Sequence, residues 1–186
     1  MKTFTIDAIV DAFRRRGHGL YSGEAVSQLD HALQCATLAQ NDAADPPLVV
    51  AALLHDICHL LEDKSDASYP HERLAAEMLS PLFGAAVIEP IRLHVAAKRY
   101  LCATDPAYWI SLSEMSRHSL VWQGGPFTPR EAAAFITQDF AADALRLRRW
   151  DDAAKVNGAT TASLDHFIGI MRAVSVKPKV LERAGA

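Results

Sequence analysis

The sequence predicts an all-α protein, on three observations. Its 32 alanines fall mostly in stretches where apolar residues recur three or four apart, the spacing of close-packed helices. No run alternates apolar and polar residues in the manner of a strand. Proline and glycine punctuate the helical stretches at their ends. Half of the residues are hydrophobic and 22% are charged, which excludes a wholly disordered or tail-like chain. A length of 186 residues suits one domain with a sizeable core better than two. The expectation is a single helical domain over 1–186 with a short C-terminal tail from about 176.

The elements follow in order. Ile6 to Arg16 places Ile6, Ile9, Val10 and Phe13 on one face, and Gly17 and Gly19 end it. A polar connection, Leu20 to Glu24, leads to a second helix starting near Ser27, where Leu29, Leu33, Ala36 and Leu38 lie close to His31. Pro46 and Pro47 open a third helix, expected to run to about Glu62. A polar loop, Asp63 to Pro70, precedes a helix over His71 to Leu79. Another is expected from about Ala85 to Leu101, bent near Pro90. Asp105 and Pro106 interrupt the chain, Ser111 to Val121 resumes the helical pattern, and Gly124, Gly125 and Pro126 stop it. Pro129 opens a short helix and a longer one is expected from about Thr137 to Ala153. The last, Ser163 to Val174, precedes a basic tail containing Pro178.

Several function classes drop out. A formal net charge of -3 removes the main electrostatic argument for a nucleic-acid binder. The longest apolar run, Leu48 to Leu54, meets His55 and Asp56 and reads as a core helix, with no membrane span expected. The first residues lack the charge-then-apolar order of a signal peptide, and three cysteines make no disulfide scaffold. The expectation is a cytoplasmic protein with no obligatory protein partner.

One passage is too polar for its surroundings. In Ala51-Ala52-Leu53-Leu54-His55-Asp56-Ile57-Cys58-His59-Leu60-Leu61, an isolated histidine would ordinarily be a hydrogen-bonded core residue. Asp56 is different, because burying a carboxylate there is expensive unless a metal or cation pairs with it. Other ligand types sit in similar settings. His31 lies among apolar helical positions, and His71 falls in the first turn after Pro70. Val87, Ile91, His94 and Lys98 form one helical stripe, and Phe140, Ala144, Leu147 and Asp151 form another. Four histidines and two aspartates on apolar helix faces suggest a dinuclear centre inside a bundle. Asp56 can bridge by giving one carboxylate oxygen to each ion. Spacing alone does not bring the helices together.

The order His31, His55-Asp56, His71, His94, Asp151 resembles the HD-domain superfamily, whose helical fold commonly binds two metals; the resemblance covers nearly the whole chain. Its usual implication is phosphomonoester or phosphodiester hydrolysis by a metal-dependent phosphohydrolase. Three further passages are similar to the mixed-valent di-iron oxygenase branch, which includes inositol oxygenase, and especially to its small phosphonate-cleaving dioxygenases. These are Tyr21-Ser22-Gly23-Glu24 before the first ligand helix, His94-Val95-Ala96-Ala97-Lys98, and His59 one turn beyond His55.

That resemblance implies a reaction and residue roles. The substrate would be 1-hydroxy-2-aminoethylphosphonate or its N-trimethylated analogue, a small anion cleaved by O2 to phosphate and glycine or glycine betaine. Two iron ions, Fe(II)/Fe(III) when active, would be held by His31, His55, Asp56 and Asp151 on one side and by His71 and His94 with shared Asp56 on the other. Lys98 and His59 would bind outer phosphonate oxygens, with Ser116 a further donor and Arg148 a further charge. Tyr21 would shield the oxygen-binding iron before substrate arrives, and Glu24 would sense the nitrogen end. The alternative for Arg148 is a surface charge beside Arg146 and Arg149, and for Tyr21 and Glu24 surface-loop hydrogen bonding. Tyr21, Tyr69, Tyr100, Trp109 and Phe127 are cage candidates for a quaternary ammonium, and sequence does not make them converge. Cys58 departs from the familiar His-Asp-Ile-Gly pattern and reads as a small core residue, as do Cys35 and Cys102. Trp122-Gln123-Gly124-Gly125-Pro126 resembles a corner of the same enzymes, which turn-making alone also explains.

Overall fold

From Leu48 to Leu54 every side chain is buried, so this helix has no polar face and belongs at the centre of the molecule. The computed structural model describes residues 4–21, 23–61 and 70–176. In it α3 (Pro46–Leu54) is packed by α2 (Gln28–Asn41), α6 (Ala85–Thr104), α10 (Ala141–Ala153) and α11 (Leu164–Val174). The other helices are α1 (Ile6–Arg16), α4 (Cys58–Leu61), α5 (His71–Leu79), α7 (Pro106–Ser111), α8 (Glu114–Trp122) and α9 (Pro129–Ile136). Among the described residues there is no strand, only an isolated antiparallel bridge between Leu20 and Ser27. The fold is all-α.

Local chemistry sets the boundaries. The Ser27 hydroxyl accepts from the Asp30 amide and the Asp30 carboxylate answers at the Ser27 amide, a capping box that starts α2. Thr128 and Glu131 repeat the device at α9, and Ser163 caps α11. Gly17 ends α1 where a Cβ would stand 2.9 Å from Leu29 Cβ, so only glycine lets α1 and α2 approach this closely.

Four boundaries differ from the sequence expectation. The third helix does not run through to Glu62. It stops at Leu54, and His55 to Ile57 form tight turns (Leu54 O to Ile57 N, 3.1 Å; Asp56 O to His59 N, 3.1 Å) before α4 resumes at Cys58. The residue 62 end point, the 63–69 loop and Tyr69 lie outside the described residues, as does the tail from 177. The second difference is α7. Asp105 caps it, accepting from the Ala107 and Tyr108 amides, with Pro106 at its first position. Ser111 therefore ends a helix, and α8 starts at Glu114 behind the Ser113 cap. The sixth helix also extends past Leu101 to Thr104, and a non-helical stretch from 137 to 140 separates α9 from α10.

The long helix α6 ties the interior together. Val87, Ile88 and Ile91 enter the main core, Leu93 and Ala97 pack with Phe135, Ala141 and Ala144, and Leu101 meets Tyr108 and Leu112. It faces α10 along much of its length. That pairing, with α2 and α3 alongside, brings His31, His55, His94, Lys98, Arg148 and Asp151 together in the interior, all buried.

Candidate metal centre and its cavity

Each buried imidazole is oriented by a backbone carbonyl. Nδ1 of His31 donates to the Ala154 carbonyl (2.9 Å), Nδ1 of His55 to the Ala52 carbonyl (2.9 Å), and Nδ1 of His94 to the Ile91 carbonyl (2.7 Å). A carbonyl can only accept, so the proton sits on Nδ1 and the Nε2 lone pair points inward. Those lone pairs face one another. Nε2 of His31 lies 3.3 Å from Nε2 of His55, and Nε2 of His71 lies 3.1 Å from Nε2 of His94. Two lone pairs that close repel unless a cation stands between them.

The carboxylates complete two clusters. Asp151 Oδ1 is 3.5 Å from His31 Nε2, and its Oδ2 is 3.7 Å from His55 Nε2. Asp56 spans both groups, with Oδ2 3.6 Å from His55 Nε2 and Oδ1 3.5 Å from His71 Nε2 and 3.9 Å from His94 Nε2. Among the described residues Asp56 Oδ1 and Asp151 Oδ1 are buried without a hydrogen-bond partner. Such atoms are costly to leave unpaired. Converging lone pairs and unpaired carboxylate oxygens are what two metal ions would satisfy. The donor set of imidazole and carboxylate suits iron.

Protonation states agree. Burial lowers the pKa of His31 and His94, and that of His71 to about 4, so these rings are neutral ligands at pH 7. Burial pushes Asp151 up, but the Arg148 guanidinium, with NH1 2.7 Å from Oδ2, together with His55 and His31 outweighs it and keeps the carboxylate ionised. Cys35 adds a feature that the sequence reading treated as packing alone. Its Sγ is 3.6 Å from His31 Nε2, and burial pushes the thiol pKa well up, which keeps it protonated.

A cavity of about 280 Å³ opens beside the His71, His94 and Asp56 cluster. His59, Lys98, Ser116, Arg148, Tyr21 and Glu24 all line it. Tyr21 stacks on His31 (centroids 3.8 Å apart, 14° between planes) and its hydroxyl donates to Asp56 Oδ2 at 2.8 Å. Burial raises its pKa well above the usual phenol value. Lys98 Nζ donates to Ser119 Oγ (2.8 Å) and to the Ser116 carbonyl (3.4 Å), both neutral, and burial followed by the Arg148 charge lowers its pKa to about 8.

Arg148 is not a surface charge. Arg146 and Arg149 are, paired with Asp42 and Asp105, whereas Arg148 is buried and gripped by Asp151, Asp152 and the Tyr108 hydroxyl. Of the described cage candidates only Tyr21 reaches the cavity. Tyr100 packs on Phe135, Phe127 lies under Arg99, and Trp109 lies near Arg117. The Trp122 corner leaves its indole exposed, while the Gly124 and Gly125 carbonyls accept from Arg99.

Sequence reasoning missed a second polar layer. Lys155 also lines the cavity, its Nζ donating to Ser116 Oγ (2.7 Å) and lying 3.4 Å from Glu24 Oε1 and 3.6 Å from Asp152 Oδ1. The available signal was spacing. Arg148, Asp151, Asp152 and Lys155 recur at i, i+3, i+4 and i+7, one face of a helix and its continuation.

A helical bundle carrying this ordered set of inward histidines and aspartates defines an HD-domain protein. The HD domain family model matches residues 29–121, and the chain belongs to that family. Two relatives have assigned activities. The hydroxymethylphosphonate dioxygenase of Gimesia maris is 42% identical over 169 residues, 87% of this chain and 84% of that protein. The [1-hydroxy-2-(trimethylamino)ethyl]phosphonate dioxygenase (glycine-betaine-forming) of Leisingera caerulea is 39% identical over 169 residues, 87% of this chain and 86% of its own. An uncharacterised protein of Acanthamoeba polyphaga mimivirus is 31% identical over 174 residues, 89% and 80% of the two chains.

Proposed function

We propose that this protein is an iron-dependent dioxygenase that cleaves the C–P bond of a 1-hydroxyphosphonate. The carrying observation is Asp56, whose two oxygens reach toward two separate pairs of facing histidine Nε2 atoms beside a cavity that contains Lys98. The relatives' activities support the reaction class. Products would be phosphate with glycine, glycine betaine or a one-carbon acid, according to the substituent on the hydroxyl-bearing carbon. The three cysteines are free, which suits a reducing cytoplasm.

His31, His55, Asp56 and Asp151 would hold one iron, and His71, His94 and the shared Asp56 the other. The iron pair, Fe(II)/Fe(III) when active, would supply Lewis acidity toward the substrate oxygens and electron exchange with O2. The chain's own residues do the rest. Lys98, whose hydrogen-bond partners are neutral, places its positive charge where the phosphonate enters, and His59 adds a donor. Arg148 is the main charge that helps keep Asp151 ionised, and with it a ligand charge. Tyr21 lies across His31 and Asp56, covering that side of the centre until substrate displaces it.

The test uses iron-loaded protein with hydroxymethylphosphonate, 1-hydroxy-2-aminoethylphosphonate and its trimethylated analogue, with O2 consumption and phosphate release measured together. Equal moles of each are expected with at least one substrate. Phosphate released at an unchanged rate without O2 would replace this reading with that of an HD-type phosphohydrolase.

A further inference from the structure

Building on the dioxygenase reading, we propose that Lys155 is a specificity-determining residue that selects a 1-hydroxyphosphonate without a cationic substituent, hydroxymethylphosphonate being the simplest. The carboxylate placed to meet an ammonium, Glu24, already has partners. Its Oε1 accepts from Ser113 Oγ at 2.7 Å and lies 3.4 Å from Lys155 Nζ. Lys155 is itself largely enclosed, its side chain 12% exposed, and held by Ser116 Oγ, Ser113 Oγ and Asp152. Asp152 is gripped in turn by Arg148 and Tyr108.

Glu24 and Asp152 face the cations Lys155 and Arg148, and Arg148 is shared with Asp151. Among the described residues at this end of the cavity, each of these carboxylates already has a cation within 3.4 Å when an ammonium arrives. A substrate ammonium brought to Glu24 would stand beside the Lys155 ammonium, and like charges so placed repel. A trimethylammonium group fares no better. It needs aromatic faces, and among the described cage candidates only Tyr21 lines the cavity, with one face already on His31. A substituent-free carbon avoids both problems.

The reaction balances for this substrate. Hydroxymethylphosphonate and O2 give formate, phosphate and one proton: the C–P bond breaks, a C–O and a P–O bond form, the carbon loses four electrons, and O2 gains them.

The experiment compares the three phosphonates on wild type, Lys155→Met and Lys155→Arg. It reads kcat/KM aerobically and Kd anaerobically by titration calorimetry. Wild type should favour hydroxymethylphosphonate by about tenfold or more over either ammonium substrate, in kcat/KM and in Kd alike. Lys155→Met should shift that ratio toward the primary ammonium substrate by about tenfold, since Glu24 loses its cation, and Lys155→Arg should keep the wild-type preference. Wild type that binds and turns over the ammonium substrates as well as hydroxymethylphosphonate overturns the inference and leaves the dioxygenase reading standing. A ratio unmoved by Lys155→Met, with binding retained, overturns it too. Iron-loaded wild type that consumes no O2 with any of the three defeats the underlying reading, and the inference with it.

Discussion

At the scale of single residues, Lys98 carries the most direct consequence for activity. Its ammonium is the charge that the cavity offers an anion, and burial has brought its pKa down to about 8. The protonated fraction of the free enzyme therefore falls as pH rises through that value, so KM for a phosphonate should climb above pH 8 with kcat less affected. Lys98→Met should raise KM at neutral pH by about tenfold to a hundredfold and abolish that limb, as loss of a charge-assisted contact worth about 1.5–3 kcal/mol would. A pH series of kcat/KM on both proteins checks it. Tyr21→Phe removes one hydrogen bond to Asp56 and keeps the ring on His31. Its iron should lose competence several-fold faster when held in air without substrate, while initial kcat stays near wild type, as successive assays of an aged stock would reveal. The candidate ligands were legible because chemistry betrays them: Asp56 is a carboxylate inside an apolar run, and His94 and Asp151 sit on apolar stripes. Lys155 was not legible. In sequence it is one more charged residue near a helix end, and only folding brings it to Glu24.

At the scale of elements, most helices were legible from periodicity and caps, and the exceptions have physical causes. No glycine or proline marks the break at His55 to Ile57, and the apolar pattern continues on both sides of it. The turn there is stabilised by the local His55 bond to the Ala52 carbonyl and by tertiary contacts, including the Tyr21 hydroxyl on Asp56. The helix α7 was read as an interruption because Asp-Pro resembles a breaker, although it is equally a cap followed by a first-turn proline. One helix end carries a stability prediction. After α2, the Ala44 amide donates to Ala39 O and the Ala43 amide to Gln40 O, a Schellman ending with Ala43 at φ 51°. Glycine is the usual occupant of that position because a Cβ is strained there. Ala43 is exposed, so Ala43→Gly loses little packing and should stabilise by about 0.5–1 kcal/mol, or roughly 2 °C in Tm. Differential scanning calorimetry at fixed iron loading measures it. Phe140 also has positive φ, at 62°, but its ring packs against the Leu93 and Ala97 cluster, which offsets the strain.

At the scale of the whole molecule, the centre draws on helices remote in sequence: His31 from α2, His55 and Asp56 from the α3–α4 turn, His71 from α5, His94 from α6 and Asp151 from α10. We propose that the chain is one folding unit for this reason, since unfolding any of these elements dismantles at least one of the two candidate metal clusters, which Asp56 joins, and α6 contributes to all three apolar clusters. Ions that bind the folded chain and not the unfolded one stabilise it by mass action, about 2.7 kcal/mol for each site filled at about 100 times its Kd. For a chain of this size each kcal/mol is worth about 2–4 °C. If the two clusters hold the proposed irons, removing both by reduction and chelation should therefore lower Tm by roughly 10–20 °C. The calorimetric trace should remain a single peak before and after, with calorimetric and van't Hoff enthalpies in agreement. Two separable peaks, only one of them sensitive to iron, would mean that the α7–α9 region unfolds apart from the ligand helices. A Tm unchanged by chelation would mean that the facing histidines and unpaired carboxylate oxygens do not hold metal.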